Sequence, residues 1–247
     1  MTDIRIERKG AVGLLSMTSR NALNPIDAFV LENLAENIEQ LERDDEVKVI
    51  VIRGTEKAFS SGINASEFVK NVNAEMMKEM HENFSRITDI KKPMIAEISG
   101  YAIGIGFELA LACDMIFCAE NVWFAMPDLS MGTVPGFGAT QRLPKAVGKA
   151  KAMEMILSGR AMGAAEADRI GLVSRVIPLM ELHDETMKAA DIIASMPEIA
   201  VITSKELIKT AIANVDLNEG LEIERQIYKN ALESDEYKIN LQKMLQK

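Results

Sequence analysis

The stretch GYAIGIGFELALACD, residues 100–114, joins a predicted strand to a predicted helix through a turn with three glycines. The preceding run PMIAEISG (93–100) is typical of a strand, and the apolar residues after Gly106 predict a buried helix. One carboxylate, Glu108, lies among them. A buried carboxylate is costly unless it is hydrogen-bonded, and such groups cluster at active sites. Glu108 is therefore a candidate catalytic residue, although a structural pairing or a solvent channel would also explain it.

The glycines of this turn, Gly100, Gly104 and Gly106, lie where a strand passes into a helix. The first turn of a helix leaves backbone N–H groups without partners and favours negative charge, and glycine lets a ligand approach them closely. The turn is therefore a candidate oxyanion site close to Glu108, while a tight turn needed for packing explains the glycines equally well. The dinucleotide fingerprint G-x-G-x-x-G is not met, because its third glycine would fall at Leu109.

A second strand-to-helix turn is predicted at KAFSSGIN, residues 57–64. It follows VKVIVIRG (47–54), a β-branched run typical of a strand buried on both faces, and it contains Gly62. The spacing Asn64-Ala-Ser-Glu67 resembles a capping box and predicts a helix from Asn64 onward. Two turns of this kind would supply two N–H donors to one oxygen atom.

Asp128 opens a third segment of interest. It follows Pro127 at the end of the predicted strand VWFAM, and the segment 127–148, PDLSMGTVPGFGATQRLPKAVG, is rich in glycine and proline. This composition predicts a long loop, and long loops are often functional. Asp128 is a reasonable catalytic position there, and it is also a common turn or helix-cap residue.

The histidines and cysteines suggest no further chemistry. His81 and His183 lie far apart, and neither falls in a predicted active-site loop, so we expect neither a Ser-His-Asp arrangement nor a metal site. We place His81 on a charged helix surface. Cys113 and Cys118 lie in apolar surroundings and are expected to be buried free thiols.

Composition and charge limit the classes of function. The 247 residues are 48% hydrophobic and 26% charged, with a net charge of −9 and a pI of about 5.0. We therefore expect no nucleic-acid partner, although a local cluster of cations would suffice for an anionic small ligand. The sequence has no long uncharged apolar run and no apolar signal core near its start. We thus expect no membrane association and a cytoplasmic location.

Predicted strands and helices alternate along the first 178 residues. A hairpin is predicted to turn at Lys9-Gly10, helices are predicted over 26–43 and 74–90, and LVSRVIP (172–178) is the last clear strand. Four helical stretches follow, with a break at Met196-Pro197. The pattern predicts an α/β core with a helical C-terminal extension.

Taken together, these segments resemble the crotonase superfamily, the enoyl-CoA hydratase/isomerase family, over nearly the whole chain. The matching motifs are Asn21-Ala22-Leu23, KAFSSGIN, PMIAEISGYAIGIGFELALACD, MPDLSMGTVPGFGATQRLPKAVG and SGRAMGAAEADRIGLVSRVIP. The resemblance implies a spiral of β-β-α units over residues 1–193 and a C-terminal helical oligomerisation region over 194–247. It also implies acyl-coenzyme A thioester substrates, no separate cofactor, and a homotrimer or a dimer of trimers.

The resemblance also assigns roles to residues. The backbone N–H groups of Ile63 and Ile105 would hold the thioester oxygen, and the carboxylates of Glu108 and Asp128 would handle the water of a hydratase. The residues expected to contact the substrate or its coenzyme A portion are Arg20, Ala22, Lys57, Ser61, Gly62, Asn64 and Gly104. Arg20 and Lys57 are candidate cations for the coenzyme A phosphates, and each would equally be explained as a solvated surface residue.

Three positions depart from the family pattern. Ile105 is β-branched and stands between Gly104 and Gly106, and Asn64 stands where Asp is usual. Asp128 stands where hydratases usually have Glu. Because Asp is one methylene shorter, its carboxylate oxygens would lie roughly 1–1.5 Å from where those of Glu would be. A displacement of this size costs on the order of 100-fold in rate if nothing compensates.

Several functions fit this pattern. The first is hydration of a short or medium trans-2-enoyl-coenzyme A, because two acids are present. The alternatives are an enoyl-coenzyme A isomerase that uses one acid, a decarboxylase or hydrolase of the same superfamily, and a non-catalytic coenzyme A-binding homologue. The departures at Ile105 and Asp128 motivate the non-catalytic alternative, and the two retained acids argue against it.

Overall fold

Two β-sheets organise the protein, as seen in a computed structural model that describes residues 1–64, 68–70, 72–213 and 216–245. The strands are β1 Thr2–Lys9, β2 Val12–Ser19, β3 Val49–Arg53, β4 Ala58–Ser60, β5 Met94–Ile98, β6 Tyr101–Ile103, β7 Met115–Ala119, β8 Trp123–Ala125, β9 Met162–Gly163 and β10 Arg175–Ile177. The large sheet has the order β1-β2-β3-β5-β7-β10, and the small sheet has the order β4-β6-β8-β9. The β1–β2 and β8–β9 pairs are antiparallel, and the other pairs are parallel.

In the first part of the chain the helices follow pairs of strands. The helices are α1 Ala28–Arg43, α2 Ala74–Thr88, α3 Ile105–Ala112, α4 Ala139–Ser158, α5 Ala164–Arg169, α6 Leu182–Ala194, α7 Glu198–Ile212, α8 Leu217–Glu233 and α9 Asp235–Leu245. The pairs β3/β4, β5/β6 and β7/β8 each give their first strand to the large sheet and their second strand to the small one. Helices α2, α3 and α4 are the next long helices after these pairs. The chain therefore winds as repeated β-β-α units, and the short second strands of the units form the small sheet.

The central strands of the large sheet are buried on both faces. On β3, Ile50 and Ile52 pack into the main core, and Val49 and Val51 pack on the opposite face, in a cluster that includes residues of α6. This arrangement confirms the interpretation of VKVIVIRG as a doubly buried strand. Each such side chain contributes roughly 1.5–3 kcal/mol on burial.

Local capping explains where the first helix begins. Asp27 has extended backbone angles, and its side chain accepts a hydrogen bond from the Val30 N–H, so α1 begins at Ala28 rather than at residue 26. The predicted hairpin turn at Lys9-Gly10 is confirmed.

The segment 127–148 differs from the sequence-based expectation of a long loop. A short 3-10 helix covers Asp128–Met131, and α4 begins at Ala139 with Pro144 inside it and a kink at Gly148. The loop is thus confined to residues 132–138. Helical structure continues past Pro144 and is interrupted at Gly148, whose backbone angles of φ +79° and ψ 160° are not helical.

The C-terminal helices attach to the core through polar contacts. Lys205 of α7 lies 2.7 Å from Asp114 and donates to the Lys92 carbonyl oxygen at 2.9 Å. In contrast to the core, no described side chain of α7, α8 or α9 is fully buried. The division between a core and an oligomerisation region at residues 193 and 194 stays a prediction. None of the helices in the described part of the chain is long and apolar enough to span a membrane.

The glycine at the end of β5 offers a test of this packing. A Cβ added to Gly100 would lie 1.9 Å from the Lys57 carbonyl oxygen, whereas one added to Gly171 would have nothing within 4 Å; both glycines have positive φ. We expect Gly100→Ala to lower the free energy of unfolding by roughly 3–5 kcal/mol and the control Gly171→Ala to lower it by only about 1–2 kcal/mol. Urea denaturation measures both. Equal losses would contradict the close backbone contact.

Candidate active site

Two strand-to-helix turns lie against each other beside the small sheet. A Cβ added to Gly62 would lie 2.8 Å from the Ile103 carbonyl oxygen, and one added to Gly106 would lie 2.5 Å from the Ser60 Cβ. The first contact joins the turn after β4 to the end of β6, and the second joins the start of α3 to the end of β4; these two strands pair in parallel. Only glycine allows the two backbones to approach this closely.

The backbone N–H groups of Ile63 and Ile105 lie in these two turns. Ile105 is the first residue of α3, so its N–H has no partner within the helix. Gly104 precedes it with a φ of +52°, and a Cβ added there would have no atom of the described residues within 4 Å. The Gly62 carbonyl oxygen accepts a hydrogen bond from the Ile26 N–H. Neither Ile63 N–H nor Ile105 N–H donates to an acceptor in the described ranges. The two turns therefore present two available donors in adjacent segments.

Glu108 lies one turn into α3 and is only 1% exposed. Its Oε1 atom accepts hydrogen bonds from the Phe137 N–H at 2.8 Å and from the Ala139 N–H at 3.0 Å. Burial raises the pKa of Glu108, the two N–H donors lower this pKa, the charge of Asp128 raises it and that of Arg142 lowers it. The net shift is upward. Both backbone donors thus hold the same carboxylate oxygen, Oε1.

Asp128 begins the short 3-10 helix that follows β8. Its Oδ2 atom is buried and has no hydrogen-bond partner among the described residues. Burial raises the pKa of Asp128, and a hydrogen bond with its own backbone opposes that change. Because the charge of Asp128 also acts on Glu108, the structure brings the two predicted acids into one electrostatic site.

The Asn21-Ala22-Leu23 motif forms the neighbouring wall. Ala22 has a φ of +59°, and the Leu23 carbonyl oxygen accepts a hydrogen bond from the Ser61 N–H at 2.7 Å. The Lys57 ammonium lies 3.3 Å from the Asn21 carbonyl oxygen, which brings this cation to the motif.

For two further residues that were predicted to contact the substrate, Arg20 and Asn64, the structure shows less. Arg20 precedes the motif and is exposed. The Asn64 carbonyl oxygen accepts a hydrogen bond from the Phe68 N–H at 2.9 Å. The rest of the predicted capping box, residues 65–67, lies outside the described residues.

Asn24 is a structural residue of the site that sequence reasoning missed. It is fully buried with a φ of +49°, and its Nδ2 atom donates to the Ala58 carbonyl oxygen at 2.8 Å and to the Phe59 carbonyl oxygen at 3.2 Å. These bonds join the motif to β4, directly before the first glycine turn. An Asn-Pro pair is a turn signal, but nothing local indicates burial of the amide.

Two side chains behind Glu108 were also missed. Arg142 of α4 donates to the Phe137 carbonyl oxygen at 2.9 Å. His81 lies on the exposed side of α2, as predicted, but its Nε2 atom is 3.1 Å from the Gly136 carbonyl oxygen and its ring centroid is 5.0 Å from that of Phe137. The sequence placed His81 away from any active-site loop, and the structure shows that it contacts the loop that holds Glu108.

The other histidine and the cysteines lie elsewhere. The His183 Nδ1 atom is 2.9 Å from a carboxylate oxygen of buried Glu97, which is also near Arg53. Cys113 and Cys118 are free, as expected, but only Cys118 is fully buried and Cys113 is partly buried. Burial raises the pKa of the Cys118 thiol to about 12. In the described residues, no three His, Cys, Asp or Glu side chains are grouped in a way that would hold a metal ion.

Comparison with known proteins identifies the family. A family model described as enoyl-CoA hydratase/isomerase matches residues 7–247. The chain belongs to the enoyl-CoA hydratase/isomerase family. This membership confirms the crotonase resemblance and the predicted α/β spiral.

Individual relatives agree along nearly the whole chain. A probable enoyl-CoA hydratase of Rhizobium meliloti is 38% identical over 238 residues, which cover 94% of this chain and 91% of the relative. An enoyl-CoA hydratase structure from Geobacillus kaustophilus superposes with a TM-score of 0.92 at 32% identity, covering 98% and 95% of the two chains. A putative enoyl-CoA hydratase from Thermobifida fusca, solved in complex with CoA, has a TM-score of 0.85 at 26% identity, covering 93% and 92%.

The anchored acid leads to a prediction about stability. Because the folded-state pKa of Glu108 is raised, its ionised form is disfavoured by folding, and this cost is absent below the unfolded pKa and complete above the folded pKa. We expect Glu108→Gln to gain stability relative to the wild type as the pH rises from 4 to 8. Urea denaturation at both pH values tests this, with the exposed Glu120→Gln as control. A gain that does not grow with pH would contradict the cost of ionised Glu108.

Proposed function

We propose that this protein is an enoyl-CoA hydratase that adds water reversibly to a short or medium trans-2-enoyl-CoA thioester. The observation that supports this most strongly is the pairing of Glu108, anchored by two backbone donors, with Asp128, whose buried oxygen has no partner in the described chain. Hydration requires two acid–base groups beside a polarised carbonyl, and Glu108 and Asp128 would be those two groups. The names of the relatives support the same activity.

The two available N–H groups would begin the reaction. Donation from Ile63 and Ile105 to the thioester oxygen draws electrons from the conjugated double bond toward that oxygen. The β-carbon then becomes electrophilic, and the enolate that follows is stabilised by the same two donors. Backbone donors held in packed turns need little reorganisation as this charge develops.

Proton transfer would divide between the two acids. The free oxygen of Glu108 accepts a proton from water as the water oxygen bonds to the β-carbon, and Asp128 delivers a proton to the α-carbon as the enolate collapses. The pair holds one proton in total, and its transfer from Glu108 back to Asp128 restores the starting state. Burial favours the protonated form of both acids, and on Glu108 this effect is opposed by the N–H donors of Phe137 and Ala139.

Coenzyme A recognition is part of the proposal. Lys57, held near the Asn21 carbonyl oxygen, and exposed Arg20 would meet the phosphates at the nucleotide end. In this proposal, the path from these cations to the two N–H donors is lined by Ala22, Ser61, Gly62, Asn64 and Gly104. The relative from Thermobifida fusca was solved with CoA, which supports a CoA thioester as the substrate class.

An isomerase is the second candidate, and one observation favours it. Asp128 has a buried oxygen with no hydrogen-bond partner among the residues that the structure describes, and it stands where the longer Glu of hydratases would be. A single acid that shuttles a proton between two carbons would move a double bond from the 3 to the 2 position. In that case Glu108 would not be required as a base.

We also propose that the chain acts as a homotrimer or a dimer of trimers. The C-terminal helices expose large apolar side chains, among them Leu217 and Ile208, and none of their described residues is fully buried. Contact between copies would cover this surface. A cytoplasmic location is consistent with two unpaired cysteines, which are typical of reducing compartments.

The first measurement is turnover of crotonyl-CoA, followed by loss of the absorbance of its conjugated thioester. We expect turnover by the wild type and a loss of at least about 100-fold in kcat/KM for Glu108→Gln, because the base is removed while both backbone hydrogen bonds retain an acceptor. The exposed control Glu120→Gln should match the wild type.

The alternatives give different results in the same assay. Formation of the conjugated thioester from a 3-enoyl-CoA, without hydration of crotonyl-CoA, would replace the hydratase by the isomerase. Binding of coenzyme A in calorimetry without turnover of either substrate would indicate a non-catalytic binding protein.

Asp128 is tested by two substitutions. We expect Asp128→Asn to lower kcat by roughly 100-fold or more, because the amide cannot deliver a proton, and Asp128→Glu to stay within about 10-fold of the wild type. The exposed control Asp184→Asn should be unaffected. Full hydration activity in Asp128→Asn would remove Asp128 from the mechanism.

A further inference from the structure

The carboxylate of Glu108 is held by two peptide groups of one loop. Its Oε1 atom accepts from the Phe137 N–H, which belongs to the Gly136–Phe137 peptide, and from the Ala139 N–H, which belongs to the Gly138–Ala139 peptide. Because a peptide group is planar, its carbonyl oxygen and its N–H move together. The position of Glu108 therefore depends on what holds the carbonyl ends of these two peptides.

The Gly138–Ala139 peptide is held by helix α4. The Gly138 carbonyl oxygen accepts hydrogen bonds from the Gln141 N–H at 3.0 Å and from the Arg142 N–H at 2.8 Å. These are the first backbone bonds of the helix. This peptide therefore needs no further support.

The Gly136–Phe137 peptide has no such backbone support among the described residues. Gly136 is exposed and lies in the loop before α4, and its carbonyl oxygen is met by the His81 Nε2 atom at 3.1 Å. A carbonyl oxygen only accepts, so Nε2 must be the protonated nitrogen of this ring. The imidazole also lies against the Phe137 ring, with centroids 5.0 Å apart.

We infer that His81 is a positioning residue for the reaction, which fixes the peptide whose N–H holds Glu108. The hydrogen bond from His81 to the carbonyl oxygen sets the orientation of the Gly136–Phe137 peptide and polarises its N–H toward the carboxylate. The ring contact with Phe137 limits rotation of the same peptide. His81 does not reach the reacting atoms and acts only through this peptide.

This inference rests on the proposed hydratase activity where it is tested by enzyme kinetics, but not where it is tested by measuring the pKa of Glu108. Glycines on both sides of Phe137 leave the loop backbone with few intrinsic restraints. A single side-chain hydrogen bond at this position therefore has a large effect on the geometry of the donor. The charged groups that act on Glu108 are Asp128 and Arg142, and those beside His81 on its own helix are Lys78 and Glu82.

Three variants separate the hydrogen bond from the charge and from packing. His81→Leu removes the donor and keeps an apolar contact with Phe137, and His81→Gln keeps an N–H donor but has no titratable charge. Glu79→Leu places an exposed leucine elsewhere on α2 and is the matched control.

We expect His81→Leu to lower kcat for crotonyl-CoA by roughly 3- to 10-fold with KM within about twofold of the wild type. The acid limb of its kcat/KM profile should move to higher pH, because a weaker donor stabilises the Glu108 carboxylate less. His81→Gln and Glu79→Leu should stay within about twofold of the wild type in kcat. Thermal unfolding of all variants shows whether the loss follows stability instead.

The pKa of Glu108 is also measured without turnover, by carbon NMR of protein labelled at the glutamate carboxyl carbon. The Glu108 signal is assigned by its loss in Glu108→Gln. An upward shift in His81→Leu but not in His81→Gln supports the inference even if the wild type turns over no enoyl-CoA, a result that would remove only the proposed hydratase. An unchanged pKa in His81→Leu, or equal shifts in the Leu and Gln variants, would overturn the hydrogen-bond role.

Discussion

The close contact between two glycine turns is the constraint on which the site depends. Gly62 lies against the backbone of Ile103, and Gly106 lies against Ser60, so any side chain at either glycine would push the turns apart. This contact places the N–H groups of Ile63 and Ile105 in neighbouring segments. It also fixes the start of α3 and therefore the depth at which Glu108 is buried.

Burial of Glu108 is a cost that the surrounding backbone reduces. Desolvation raises the pKa of Glu108, and the N–H groups of Phe137 and Ala139 lower it. Both N–H groups donate to Oε1, so Oε2 does not take part in these two bonds. Asp128 adds like charge nearby, and its own buried oxygen is unpartnered in the described chain. Such an arrangement destabilises the fold and is suited to proton transfer, which is the usual compromise at active sites.

Much of this was accessible from the sequence because the signals are local. The β-branched run 47–54 and the strand-to-helix turn at 100–114 specify the core strands and the position of Glu108. The strands β4, β6 and β9 were missed because two or three residues are too few to show a period.

The supporting residues of the site were not accessible in the same way. Asn24 contacts Ala58, and His81 contacts Gly136, so both depend on pairings between distant parts of the chain. The spacing of His81 on α2 is that of an ordinary surface residue. Two adjacent oxyanion donors and two acids were predicted because a family motif marks each of them, whereas no motif marks these supports.

The small sheet has a consequence for how the molecule folds. Its parallel strands pair across long stretches of chain: β4 ends at Ser60, its partner β6 begins at Tyr101, and the next strand β8 begins at Trp123. Long-range parallel pairings are slow to form, because chain-closure entropy is lost before the contacts compensate for it. The site is built from the ends of these strands, so we expect its geometry to form only once these distant segments of the chain have paired.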